Sequence, residues 1–138
     1  MQCAAIPYRK ANHGGFDILL VTSRGKGNWI LPKGKVKLGK TPAVSAQEEV
    51  YEEAGARGTI DQALVARVDL PAPEKNLAGP SDHMQIFAME VVDLVMIWPE
   101  MFQRQRRWVH LEEAIRMVKP PHFRAALKTF ATIVAPIT

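Results

Sequence analysis

The sequence predicts one domain of mixed α and β structure. Three observations carry that expectation: apolar runs of strand character on both sides of a central helix, clear start and stop signals for that helix, and two helical patterns near the C-terminal end. With 138 residues, 47% of them hydrophobic, the chain can bury one substantial core and is too short for two ordinary domains. Residues 1–138 are therefore read as a single domain, without internal repeats or a low-complexity linker.

Residues 2–8, 16–22 and 28–31 read as strands by apolar runs or alternation. The central helix follows. Thr41 is a good N-cap, Pro42 suits the first helical position, and Gly55 supplies the left-handed residue that commonly ends a helix. At about 100° per residue, Ala43, Ala46, Val50 and Ala54 form a narrow stripe for a core. Glu53, Glu49 and Glu52 occupy the adjacent arc, and Glu48 lies further round toward solvent.

Beyond this helix, residues 64–70, 84–92 and 105–109 read as strands. Residues 71–82, rich in proline and polar side chains, read as an exposed loop suited to substrate selection. Residues 111–118 and 122–135 read as helices, the second with Phe123, Leu127, Phe130 and Val134 on one face. The apolar stretch 91–98 is interrupted by Asp93 and too short to span a membrane. A single cysteine, Cys3, excludes an intramolecular disulfide, and with no charged segment and long apolar run at the N-terminus a cytoplasmic location is expected.

The chemistry is concentrated between Arg24 and Ala56. Like charges at i, i+3 and i+4 cost a helix roughly 0.2–0.5 kcal/mol per pair, so the glutamates need a positive partner, and a hard divalent ion is the natural candidate. The loop before them carries six cations, Arg24, Lys26, Lys33, Lys35, Lys37 and Lys40, with no acidic residue among them. Glycines 25, 27, 34 and 39 leave its backbone accessible to a ligand. Bases beside acids suit a polyphosphate held together with the metal that neutralises it. The net charge of +4 likewise favours a polyanionic ligand.

The stretch from Gly34 to Ala56 resembles the Nudix box, G-x5-E-x7-R-E-U-x-E-E-x-G-U with U a bulky aliphatic residue. Gly34, Glu49, Val50, Glu52, Glu53 and Gly55 fall in register. Lys40 stands where the pattern has Glu, Glu48 where it has Arg, and Ala56 at the last aliphatic position. The resemblance implies an α/β/α sandwich around a mixed sheet. It also implies a hydrolase that cleaves a phosphoanhydride with Mg²⁺ or Mn²⁺. Glu49, Glu52 and Glu53 would bind metal, with Glu49 or Glu53 activating water. The carbonyl of Lys33 would be a further metal ligand. Lys40 and Glu48 either still interact with their charges exchanged, or stand apart, Lys40 facing phosphate and Glu48 solvent.

Two further segments, residues 29–35 with Trp29, Pro32, Lys33 and Gly34, and residues 98–108 with Trp98, Glu100, Arg104, Arg106, Arg107 and Trp108, are similar to the diphosphoinositol polyphosphate and diadenosine polyphosphate hydrolase branch. That branch often has glycines where Lys33 and Lys35 stand. By position Arg104 corresponds to a phosphate-contacting arginine, with Arg106 a second choice. Arg24, Lys33, Gly34, Lys35 and Arg104 are thus the expected substrate contacts. Glu74 and Glu90 are candidates for an acid outside the box, Trp29 and Trp108 for base stacking, and His83 is the histidine of interest. The expected partner is a polyphosphate small molecule, with no membrane, and the chain is expected to be a monomer or homodimer. The alternatives are an ADP-ribose-type hydrolase, for which Pro71 is a weak pointer, a non-catalytic phosphate-ligand sensor, and an RNA-binding protein. The last ranks lowest because aromatic and basic residues are not interleaved as RNA binding requires.

Overall fold

The computed structural model describes residues 1–71 and 82–135. Seven strands and three helices follow in the order β1 (Gln2–Lys10), β2 (Phe16–Thr22), β3 (Trp29–Ile30), β4 (Lys33–Lys35), α1 (Pro42–Ala54), β5 (Ala56–Asp69), β6 (His83–Leu94), β7 (Arg106–His110), α2 (Leu111–Met117) and α3 (Pro121–Ile133). One mixed sheet runs β3-β2-β1-β6-β5, with β4 on β1 and β7 on β2. The β1–β6 pair is parallel and the others are antiparallel.

Alternation along β1 assigns the layers. Cys3 lies beside β4, its Sγ 3.6 Å from the Gly34 carbonyl, on the α1 side. Tyr8, of opposite parity, points the other way and packs on Phe16 and on Phe130 of α3, with ring centroids 5.6 and 5.0 Å away. The sheet is thus sandwiched between α1 and the α2/α3 pair. Its centre is fully apolar, with Ile6, Ile18, Leu19, Leu20, Ile86 and Met89 buried from the sheet and Phe123, Leu127 and Phe130 from α3. Each such side chain contributes about 1.5–3 kcal/mol on burial. Among the described residues, no helix is long and apolar enough to cross a membrane.

Two elements depart from the sequence expectation. Residues 33–35, expected as open loop, form β4 because the N-terminal half of β1 offers its edge there, pairing Gln2, Cys3 and Ala4 with Lys35, Gly34 and Lys33. β5 begins directly after Gly55, well before the expected residue 64. Its early part has no clean alternation because its pairing with β6 shifts register at Arg57/Gly58, between Ile60 and Leu64, and between Leu64 and Ala66.

Candidate active site

The termini of α1 are built as its residues dictate. The Thr41 hydroxyl accepts a hydrogen bond from the Val44 amide at 3.2 Å, Pro42 opens the helix, and Gly55 ends it at φ 63°, its amide donating to the Tyr51 carbonyl. Ala43, Ala46, Val50 and Ala54 are buried against the sheet, as the wheel requires. Glu53 is buried with them at 1% exposure.

That burial sets the electrostatics. Among the described residues, neither carboxylate oxygen of Glu53 has a hydrogen-bond partner. Loss of solvent, then the neighbouring Glu49 carboxyl, push its pKa up to about 9, with Arg104 acting in the opposite direction. Arg104 is itself held rigidly: Nε donates to Glu100 Oε1 at 2.9 Å and Nη1 to the Thr22 carbonyl at 3.1 Å, leaving Nη2 3.6 Å from Glu53 Oε1. Glu49 lies against Gly34, where a Cβ would fall 2.6 and 2.8 Å from its two carboxylate oxygens. Only glycine lets β4 approach the carboxyl so closely.

Glu52 lies further out on the helix than Glu53. Its position around the helix, one residue short of Glu53, turns it outward, where its Oε1 accepts a hydrogen bond from Lys37 Nζ at 2.9 Å. The same ammonium lies 2.9 Å from Glu48 Oε2 and 3.9 Å from Glu49 Oε1. Desolvation works against its charge, yet the pairs with Glu48 and Glu52 outweigh it and hold Lys37 above the usual lysine range. Lys40 pairs with Glu48 as well, so the two residues that depart from the box do meet with their charges exchanged. Lys40 first and Lys37 second keep Glu48 below the usual carboxylate range. The flexible lysine stem spans the two helical turns that separate Glu48 from the loop.

A cavity of about 400 Å³ brings Arg24, Lys33, Gly34, Lys35 and Arg104 together with Glu53. All five expected substrate contacts therefore line one space with the buried carboxyl. A larger cavity of about 600 Å³ opens on the other side of α1, beside Lys37, Lys40, Glu48 and Glu52. It contains no buried arginine–glutamate pair, so the smaller cavity is the better place for chemistry.

Other candidates lie elsewhere. Arg106 stacks on Trp98 at 3.8 Å and donates to the Ala54 carbonyl, completing the end of α1 and not lining the cavity. Arg107 is exposed, and Trp108 lies 4.2 Å beneath the Arg9 guanidinium, away from the site. Trp29 borders a neighbouring groove that includes Arg104. Glu90 is exposed on β6 and His83 is half-buried at its start; neither lines the cavity. Glu74 lies outside the described residues. Conversely, Lys37, Glu100 and Trp98, named from sequence only as a loop cation and as parts of a family-like segment, hold the site in shape. The i,i+4 spacing of Glu100 and Arg104 was the available signal for one of these pairs.

The donors fit a hard divalent cation on the Glu53 side. Two adjacent carboxyls, one with both oxygens unpartnered, need either a shared proton or a cation. Among the described residues, no three His, Cys, Asp or Glu side chains converge on one point, and Glu52 pairs with Lys37.

Comparison with known proteins agrees with this geometry. The family model described as NUDIX domain matches residues 3–131. "Nudix hydrolase 21, chloroplastic" of Arabidopsis thaliana is 34% identical over 128 residues, covering 91% of this chain and 63% of that protein. Human "diphosphoinositol polyphosphate phosphohydrolase 3-alpha" is 31% identical over 112 residues, covering 77% and 64%. This chain thus spans less than two thirds of the length of these curated relatives. A C. elegans Ap4A hydrolase, solved as a binary complex, superposes with a TM-score of 0.76 at 24% identity over 97% of this chain and 96% of that one. With the family model spanning nearly the whole chain, the protein belongs to the NUDIX domain family.

Proposed function

We propose that this chain is a divalent-metal-dependent pyrophosphohydrolase that cleaves a phosphoanhydride in a highly charged small molecule, a dinucleoside polyphosphate or a diphosphoinositol polyphosphate. The observation that carries this reading is the Glu53 carboxyl, buried and without hydrogen-bond partners among the described residues, in the wall of a cavity to which Arg24, Lys33, Lys35 and Arg104 also contribute. The names of the human relative and of the C. elegans neighbour lend support to the two substrate classes.

Glu49 and Glu53, with the Lys33 carbonyl, would hold Mg²⁺ or Mn²⁺, an arrangement in keeping with the habit of Mg²⁺ of using one or two carboxylates plus substrate phosphates. The bound ion would supply neutralisation of phosphate charge and a more acidic water. The chain's own groups do the rest. Arg24, Lys33 and Lys35 bind the phosphates, and Arg104, immobilised by Glu100 and the Thr22 carbonyl, stabilises charge developing on the phosphoryl oxygens. As the water oxygen bonds to phosphorus, its proton passes to a carboxylate oxygen of Glu49 or Glu53, which the bound ion would keep ionised. The anhydride P–O bond breaks, with its electron pair staying on the departing phosphate.

Product analysis on a panel of dinucleoside polyphosphates, diphosphoinositol polyphosphates and ADP-ribose, with Mg²⁺ or Mn²⁺, tests the reading. Turnover of a member of the first two classes is expected, and Glu53→Gln should lower kcat by about 10²- to 10⁴-fold. Turnover confined to ADP-ribose would shift the assignment to that substrate. Tight binding without turnover under any divalent ion would favour a sensor.

A further inference from the structure

The glutamates of α1 differ in their nearest partners. Glu53 lines the cavity with Arg104 beside it, and Glu49 lies against Gly34, with Lys37 Nζ no closer to it than 3.9 Å. Glu52 and Glu48 lie on the outer side, where Lys37 Nζ sits 2.9 Å from each. Lys37 is positioned by its own backbone as well as by charge: its amide donates to the buried Ser45 hydroxyl at 2.9 Å, and the adjacent Val36 amide donates to the Met1 carbonyl. The ammonium thus stands on a tethered loop, and Lys40 adds a second positive charge on Glu48.

We propose that Lys37 is a tethered cation that takes the place of a second divalent ion at Glu52, confining metal to the Glu49–Glu53 side of the helix. This rests on the metal-dependent reading above. An ammonium at hydrogen-bond distance from a carboxylate both neutralises it and repels a divalent ion brought to the same oxygens. Lys37 is a positioning residue. Its consequence is a site that works with fewer metal ions than its carboxylate count suggests, Glu52 serving to hold Lys37 and not to bind metal.

Mn²⁺ binding to the full chain, followed by the electron paramagnetic resonance signal of free Mn²⁺, tests this without reference to turnover. Wild type should bind Mn²⁺ through Glu49 and Glu53, and Glu52→Gln should leave that affinity unchanged. Lys37→Met should gain a further ion, bound more than about ten-fold tighter than any additional ion on wild type. Lys37→Arg should not gain it, and Glu52→Gln placed in the Lys37→Met chain should remove it. Wild-type stoichiometry and affinity in a folded Lys37→Met chain would overturn the proposal. So would loss of the wild-type ion on Glu52→Gln alone, a result that decides the matter even if Lys37→Met does not fold. Failure of wild type to bind Mn²⁺ at all would instead overturn the metal-dependent reading, and this one with it.

Discussion

At Glu53 a carboxyl is placed where water cannot solvate it. Burial, then the neighbouring Glu49 carboxyl, push its pKa from the ordinary 4.5 up to about 9, so between those values the folded chain holds a proton that the unfolded chain has released. The contribution to stability is fully present below the unfolded pKa and is lost as pH rises through the folded one. The melting temperature of metal-free wild type should therefore fall between about pH 5 and about pH 8 more steeply than that of Glu53→Gln, as thermal unfolding in the presence of a chelator would measure. Parallel curves would mean that the carboxyl is already ionised across this range. The helical wheel put Glu53 next to the core stripe, but Trp98, donating to its backbone carbonyl, and Arg104, 3.6 Å from its carboxylate, reach it from far along the chain.

Among the elements, α1 was the most legible, because capping, periodicity and termination are local properties written within its own residues. Its C-terminus gives a direct test. Gly55 has φ 63°, and an added Cβ would fall 2.8 Å from the Trp98 ring and 2.9 Å from Arg106 Nη1. Gly55→Ala should cost at least about 1–3 kcal/mol from backbone strain alone, measured by urea unfolding, with the ring contact adding to it. Gly39→Ala, also at positive φ but with open space around its Cβ, should cost less. The strands β4 and the first part of β5 were not legible, for a physical reason: each is stabilised by an edge offered by a distant strand, and the register shifts of β5 erase the alternation that would have announced it. The pairing of Lys40 with Glu48 was open in the sequence for the same kind of reason, since helix rise alone does not say how far a lysine stem will reach.

For the whole molecule, the net charge of +4 becomes meaningful once Arg24, Lys33, Lys35 and Arg104 are gathered around one cavity. Attraction of a polyanion to such a site is screened over a Debye length of about 10 Å at 0.1 M salt. Steady-state kinetics should therefore show KM rising several-fold between about 50 and 200 mM salt, with kcat much less affected. The fold class could be expected from sequence because the motif spacing is compact; that Arg24, Lys33, Gly34, Lys35 and Arg104 line one cavity, and the clasp around them, could not, because both are assembled across the chain. That clasp also orders events in time. The last turn of α1 is sealed by Trp98 donating to the Glu53 carbonyl, the Glu100 amide to that of Glu52 and Arg106 to that of Ala54. All three donors come from the C-terminal third, so during synthesis the acidic helix can coil early, but its last turn is sealed only once residues 98–106 have been made and packed. Such late, long-range closure makes for slow folding, and a nascent chain stopped before Trp98 would carry the glutamates without these three contacts.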